Sequence, residues 1–374
     1  MKLERGVSLA PHTSLRVGGA ADHFVLATSA EEAAEALRWA RERDLPVHVI
    51  GGGSNLLVAD AGVTGLIVKA AYARTQVEDR HGQPVLIAEA GANLANQARR
   101  LAKQGFGGLE WAANVPGTVG GAAVNNAGAF GGDTASCLLS VRLVAVDRTF
   151  CLNSSDLGYA YRTSALKRRE LGDVAVDRVE LRLQVSTPER ADGLVKEFNA
   201  QRMRTQPRIL SAGSVFANPE GTFSGKLIEE AGLKGSRAGA ARISEQHANF
   251  IVNPGGATAR DVYALMRRAQ DVVFERTGTW LRAEIELLGR WSLEERAALE
   301  GPRRPEPGER TPLGEGSSPP SNAPRPARCE STPSRGGSSL PGARRPARSE
   351  STTSEGCSPP RSAPCADNQV AAHG

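Results

Sequence analysis

The chain lacks any run approaching the roughly 18 consecutive apolar residues that a membrane span requires. Its N-terminus has no apolar core of the kind a secretory signal needs, so a cytoplasmic protein with no membrane partner is expected. Cysteine is scarce and poorly spaced for chemistry. Cys137, Cys151, Cys329, Cys357 and Cys365 form no C-x-x-C pair and have no histidine at zinc-ligand spacing, which points away from a metal site and from a disulfide framework. Aromatic residues make up only 5% of the sequence, and no basic stripe with interleaved aromatics occurs. The formal charge of +5 fits an anionic small ligand as well as it fits nucleic acid, and the missing stripe leaves nothing to favour the latter. Two nucleotide-binding signatures are also missing. G-x-G-x-x-G fails at Leu56, no G-K-[ST] occurs where a P-loop would need it, and Gly225-Lys226-Leu227 is no substitute.

What is present is the composition of a soluble globular protein, with 40% hydrophobic and 23% charged residues in 374, enough for two or three domains. Two glycine-rich stretches stand out. Asn114 to Gly132, NVPGTVGGAAVNNAGAFGG, holds no lysine or arginine. Without Cβ atoms its glycines would let a flat ligand lie against the backbone, or would let the segment pack as a tight buried turn; the stretch alone leaves both open. The second is Gly51-Gly52-Gly53-Ser54-Asn55, which interrupts the apolar runs Val47 to Ile50 and Leu56 to Val58. Such a turn can present several N–H groups in a concave nest for a pyrophosphate, whereas a hairpin needs fewer glycines.

Local signals fix much of the remaining chain. Ser29 reads as the N-cap of a helix to about Arg43, and Leu94 to Gln104 as a helix stopped by Gly105. Thr187-Pro188-Glu189 opens a helix to about Met203. Thr258 and Asp261 cap another, with Val262, Leu265, Met266, Ala269, Val272 and Val273 on one face and Gly278 at its end. A short helix is expected near Lys226 to Ala231. Strands are expected at Leu66 to Lys69, Val85 to Ala88, Ser140 to Val146, Val174 to Val185 and Trp280 to Leu288. From about Gly301 proline, serine, glycine and arginine dominate, lysine is absent, and imperfect repeats begin at Gly316, Gly337 and Gly356. Such a segment cannot bury enough apolar surface to offset its ordering entropy, so a disordered tail is expected.

With these segments placed, the chain resembles the UDP-N-acetylenolpyruvoylglucosamine reductases in their shorter subclass. GGGSNLLV, NVPGTVGGAAVNNAGAFGGD, YRTS, AGSVFANPEG, GKLIEEAGLKG and HANFIVN carry the resemblance, from about Pro11 to Gly289. It implies an α+β fold with an FAD-binding domain of the vanillyl-alcohol-oxidase (PCMH) type in two subdomains, and a smaller α+β substrate-binding domain. The expected division is 1–70 and 71–186 for the two subdomains, 187–279 for the substrate domain, 280–290 for a closing strand and 291–374 for the tail.

By the same resemblance FAD is held non-covalently by Gly51, Gly52, Gly53, Ser54, Asn55, Leu56, Pro116, Gly117, Thr118, Gly120, Gly121 and Gly128, and NADPH is the co-substrate. Tyr161, Asn218, Lys226, His247 and Asn249 fall at motif positions for a UDP-sugar substrate, with His247 equally open to a structural reading. Arg162, Ser214 and Glu284 take the catalytic positions, and Glu286 is the alternative acid because Leu281-Arg282-Ala283-Glu284-Ile285 keeps the family's frame while losing its first acid. The implied chemistry is reduction of an enolpyruvyl group, with Arg162 and Glu284 meeting the developing negative charge and Ser214 delivering a proton. A monomer is expected. Another flavin dehydrogenase or oxidase on the same fold, and a non-catalytic flavin-binding protein, are the competing readings.

Overall fold

The strand Val63–Ala70 has almost every side chain buried, the pattern of a strand covered on both faces. In the computed structural model, which describes residues 1–301, it lies inside a four-stranded sheet. Ala20–Ala27 and Val47–Ile50 flank it in parallel, and Leu3–Ser8 closes one edge antiparallel to Ala20–Ala27. Parallel neighbours need a crossover, and the helix Ala30–Arg41 supplies it. The Ser29 side chain caps that helix by accepting from Glu32 N, and its inner face buries Ala33, Ala36, Leu37 and Ala40.

A second sheet is wholly antiparallel, in the order Thr149–Asn153, Leu138–Val144, Ala175–Arg182, Gln83–Glu89 and Thr75–Arg80. Its buried residues Leu86, Val141 and Val179 share one apolar core with Val25, Leu37 and Leu66 of the first sheet. The helix Pro188–Thr205 adds Ala191 and Val195 to that core. The boundary expected at 187 therefore precedes a helix that packs with the first half of the chain; the next core begins near Ala212.

That next core lies between a small antiparallel sheet, Leu210–Ser211, Ile251–Asn253, Ala241–Ile243 and Arg237–Ala238, and the helix Ala259–Thr277. Thr258 and Asp261 form the expected capping box, and Gly278 ends the helix in the left-handed region. Asp60 adds a cap from far away, its two carboxylate oxygens accepting from Ala259 N at 2.8 Å and Arg260 N at 2.9 Å. Leu15 and Val17 sit in this core, and Asn253 Nδ2 donates to Leu15 O at 2.9 Å, so the N-terminal HTSLRVGG segment is anchored to it.

Two expectations are corrected, and one stretch left open by the sequence gains a helix. Of Trp280 to Leu288, only Glu286–Leu288 forms a strand, pairing in parallel with Leu56–Val58, while Ala283 makes a single bridge to Phe216. The glycine-rich Asn114 to Gly132 contains a short helix, Val119–Asn125, N-capped by Thr118. The tail was expected from 291, yet Trp291 and Leu299 are buried and Leu293–Glu300 is a helix with a Ser292–Glu295 capping box. The repeats from Gly316 onward lie outside the described residues. Among the described residues no helix is long and apolar enough to cross a membrane.

Candidate active site

Val47–Ile50 and Leu56–Val58 belong to different sheets, so the glycine turn between them is a link across the molecule and not a hairpin. The backbone N–H groups of Gly52, Gly53, Ser54 and Asn55 donate to no other group among the described residues. They form a ready nest for an anion. A Cβ at Gly52 would come 2.9 Å from Gly117 Cα, and one at Gly51 would press into the Thr118 hydroxyl. The two glycine-rich stretches are thus facing walls, spaced by the absence of side chains, and between them lies a cavity of about 350 Å³.

All twelve residues expected to hold FAD line this cavity, from Gly51 to Leu56 and from Pro116 to Gly128. The second wall also carries the loop of the YRTS motif. Tyr159 donates through its hydroxyl to Ala123 O at 2.7 Å, Ser164 Oγ to Val124 O at 2.6 Å, and Asn126 Nδ2 to Ala160 O at 3.1 Å. These three bonds pin YRTS onto the helix Val119–Asn125. Reciprocal bonds between Ala160 and Thr163 close a tight turn with Arg162 at φ 57°, a conformation costing a non-glycine residue roughly 1 kcal/mol or more.

That turn delivers Arg162 into the cavity, where its Nε lies 2.8 Å from Glu284 Oε1 and its Nη2 donates to Gly128 O at 3.2 Å. The Nε approach is an ion pair too bent for a hydrogen bond, so a buried N–H remains without an acceptor. Glu284 arrives from far along the chain. Its N–H donates to Val215 O at 2.8 Å and its carbonyl accepts from Asn55 Nδ2 at 3.2 Å, which ties it both to the Ser214 segment and to the glycine turn. Its side chain is only 9% exposed. Burial raises the Glu284 carboxyl above the ordinary range, and Arg162, Lys167 and Arg282 pull it back. Ser214 lines the same cavity, next to Gly213 at φ 77°. Its neighbour Phe216 is clamped by Asn249, whose side-chain oxygen accepts from Phe216 N and whose amide donates to Phe216 O.

The residues expected at the UDP-sugar sit apart from the cavity walls. Asn249 is buried, with its side chain spent on that clamp. His247 is half-buried against Phe250, its Nδ1 accepting from Asn249 N, and burial lowers its pKa. Asn218 accepts from Ser224 N, Lys226 is exposed beside Glu230, and Tyr161 is exposed in the turn that carries Arg162. Lys167, Arg202 and Gln206 also line the cavity and escape sequence reasoning. A lysine on a turn and an arginine near a helix end ordinarily face solvent, and no local pattern separates these from such residues.

The walls fit a dinucleotide such as FAD, because the free N–H nest suits a pyrophosphate and the cavity of about 350 Å³ beside it is lined by both glycine-rich stretches. A family model described as FAD binding domain matches residues 21–150, and one described as UDP-N-acetylenolpyruvoylglucosamine reductase, C-terminal domain, matches 205–288. The chain is 43% identical over 294 residues to the UDP-N-acetylenolpyruvoylglucosamine reductase of Gloeobacter violaceus, covering 77% of this chain and 97% of that one. It is 45% identical over 294 residues to that of Synechococcus sp. (strain WH7803), covering 77% and 93%. The crystal structure of UDP-N-acetylenolpyruvylglucosamine reductase from Thermus caldophilus superposes with a TM-score of 0.65 at 36% identity, covering 77% of this chain and 99% of that one.

Proposed function

The chain belongs to the UDP-N-acetylenolpyruvoylglucosamine reductase family, and on that premise we propose that Arg162, Ser214 and Glu284 perform its reaction in the cavity between the glycine-rich walls. The protein is an FAD-dependent oxidoreductase of peptidoglycan synthesis, reducing the enolpyruvyl group of UDP-N-acetylglucosamine enolpyruvate to give UDP-N-acetylmuramate with NADPH as reductant. The observation that carries the residue assignment is the Arg162–Glu284 pair at 2.8 Å, in one cavity with Ser214.

A bound FAD would supply the redox chemistry, by which hydride from NADPH reaches the enolpyruvyl CH₂ carbon. Addition there drives negative charge toward the neighbouring carbon and its carboxylate. Arg162 meets that charge with a guanidinium already oriented by Gly128 and Glu284, so little reorganisation is needed as the charge develops. The unfilled N–H at Nε supports this role. Glu284, raised by burial, can hold a proton that a solvated glutamate would lose, and its pairing with Arg162 favours it over the exposed Glu286. Ser214 donates the proton to the second carbon. The Ser214 hydroxyl makes no hydrogen bond among the described residues, which leaves it available to substrate.

Residues 52–55 would hold the pyrophosphate of FAD, and the small residues from Pro116 to Gly121 and Gly128 would flank the cofactor. We assign the cofactor to the two-sheet core, including the helix Pro188–Thr205, and the UDP-sugar to the core beginning near Ala212. Tyr161, Asn218, Lys226 and His247 stay as candidate contacts for the UDP-sugar, and Asn249 would act by holding the Ser214 segment. A cytoplasmic monomer that uses neither nucleic acid nor a membrane completes the reading. The test is anaerobic reduction of the purified yellow protein by NADPH, followed by UDP-N-acetylglucosamine enolpyruvate. Reoxidation of the flavin by that compound is expected; a flavin that stays reduced contradicts the reading.

A further inference from the structure

Lys167 follows Arg162 on the turn that leaves the catalytic loop, and its side chain lines the cavity with Glu284 and Glu286. Its placement is fixed from behind: Lys167 N donates to Ser164 Oγ at 3.1 Å, and that hydroxyl donates to Val124 O of the cofactor wall. Most lysines of the described chain are solvated or paired with a nearby carboxylate, but Lys167 is half-buried and has no ion pair or side-chain hydrogen bond among the described residues. Arg162, by contrast, is committed to Glu284 and to Gly128 O.

We propose that Lys167 is a positioning residue of the substrate-reduction step, its uncommitted ammonium lining the same cavity as the Arg162–Glu284 pair and acting on the Glu284 carboxyl. The proposal rests on the functional reading above. The charged groups bearing on Glu284 are Arg162 from the catalytic turn, Lys167 from the segment after it, and Arg282 from its own segment. Glu286 bears on Lys167 from the same segment. Arg282 is exposed, so its influence is screened by water. Arg162 and Lys167 act where water is scarcer, and each favours the carboxylate against the burial that favours the acid. Burial likewise holds the Lys167 ammonium below the ordinary lysine range, opposed by Glu286 and Glu284, as expected of a cation retained by these acids without a direct partner. Arg202, the other cavity cation without an ion pair among the described residues, does not bear on Glu284.

The test compares flavin-saturated wild type with Lys167→Met, Lys167→Gln and Lys167→Arg. Each is reduced with NADPH, and its reoxidation by UDP-N-acetylglucosamine enolpyruvate is followed across pH. The limb of the profile nearest the carboxylate range moves upward by about one pH unit in the Met and Gln variants and stays in place in the Arg variant. A limb unmoved in Met and Gln, or moved in Arg as far as in Met, overturns the proposal. A substrate-free readout separates this from the functional reading. The pH at which the Tm of wild type falls relative to Glu284→Gln rises by the same amount when Lys167→Met is added to both. If wild type is not reoxidised by the substrate, the functional reading fails and this second comparison alone decides Lys167.

Discussion

Arg162 Nε and Glu284 Oε1 lie 2.8 Å apart although they come from different parts of the chain, one on a strained turn and the other beside the last strand of the second core. The turn is tied to the helix Val119–Asn125 through Ser164 and Tyr159, and the Glu284 backbone is tied to Asn55 of the glycine loop. The two glycine-rich walls therefore also position Arg162 and Glu284.

Arg162→Lys keeps a positive charge but loses the planar fork that reaches Glu284 and Gly128 O together. Substrate-driven reoxidation should slow by on the order of 10²-fold, with flavin reduction by NADPH unchanged. Stopped-flow absorbance of the two half-reactions checks this, and equal losses in both would mean that the arginine shapes the fold and not the step.

Gly52→Ala places a Cβ 2.9 Å from Gly117 Cα, and since that neighbour is backbone the two walls must part. The variant should fold but bind FAD at least about tenfold more weakly, a loss of about 1.4 kcal/mol. Flavin titration of the apoprotein measures it, and unchanged affinity would show that the walls do not grip the cofactor.

Burial raises Glu284 above its ordinary value of 4.5, so between those two values the folded protein binds more protons than the unfolded chain. The stability this group contributes is full below pH 4.5 and is lost as pH rises through the folded value. Glu284→Gln has no such term. Its Tm should gain on wild type as pH rises through that window and run parallel to it above; a constant difference from acid to neutral pH would contradict the raised carboxyl.

Asp60 caps the helix Ala259–Thr277 from far away in the sequence, accepting from Ala259 N and Arg260 N. Asp60→Ala should cost about 1–2 kcal/mol in thermal or denaturant unfolding while leaving the flavin spectrum intact. No change in stability would mean that the Thr258 cap suffices alone.

The helices opened by Ser29, Thr187 and Thr258 were legible because a cap is a contact between residues three apart. The glycine loop was legible because such composition serves few other purposes. The parallel pairing of Glu286–Leu288 with Leu56–Val58 was not, since nothing near either segment encodes so distant a partner. The helix Val119–Asn125 was hidden by its glycines, poor helix formers, although Thr118 caps it by the ordinary local rule. Leu293–Glu300 was absorbed into the tail by composition, even though Ser292 and Glu295 carry a capping box. Arg162, Ser214 and Glu284 were found through motif resemblance; their meeting in one cavity depends on tertiary packing.

The assignment of Ser214 as proton donor is tested most directly in Ser214→Ala, by following both half-reactions of the flavin-loaded variant. Reduction by NADPH should proceed at the wild-type rate while reoxidation by UDP-N-acetylglucosamine enolpyruvate falls by about 10²-fold or more. Equal loss of the two half-reactions, or an undiminished reoxidation, would contradict it.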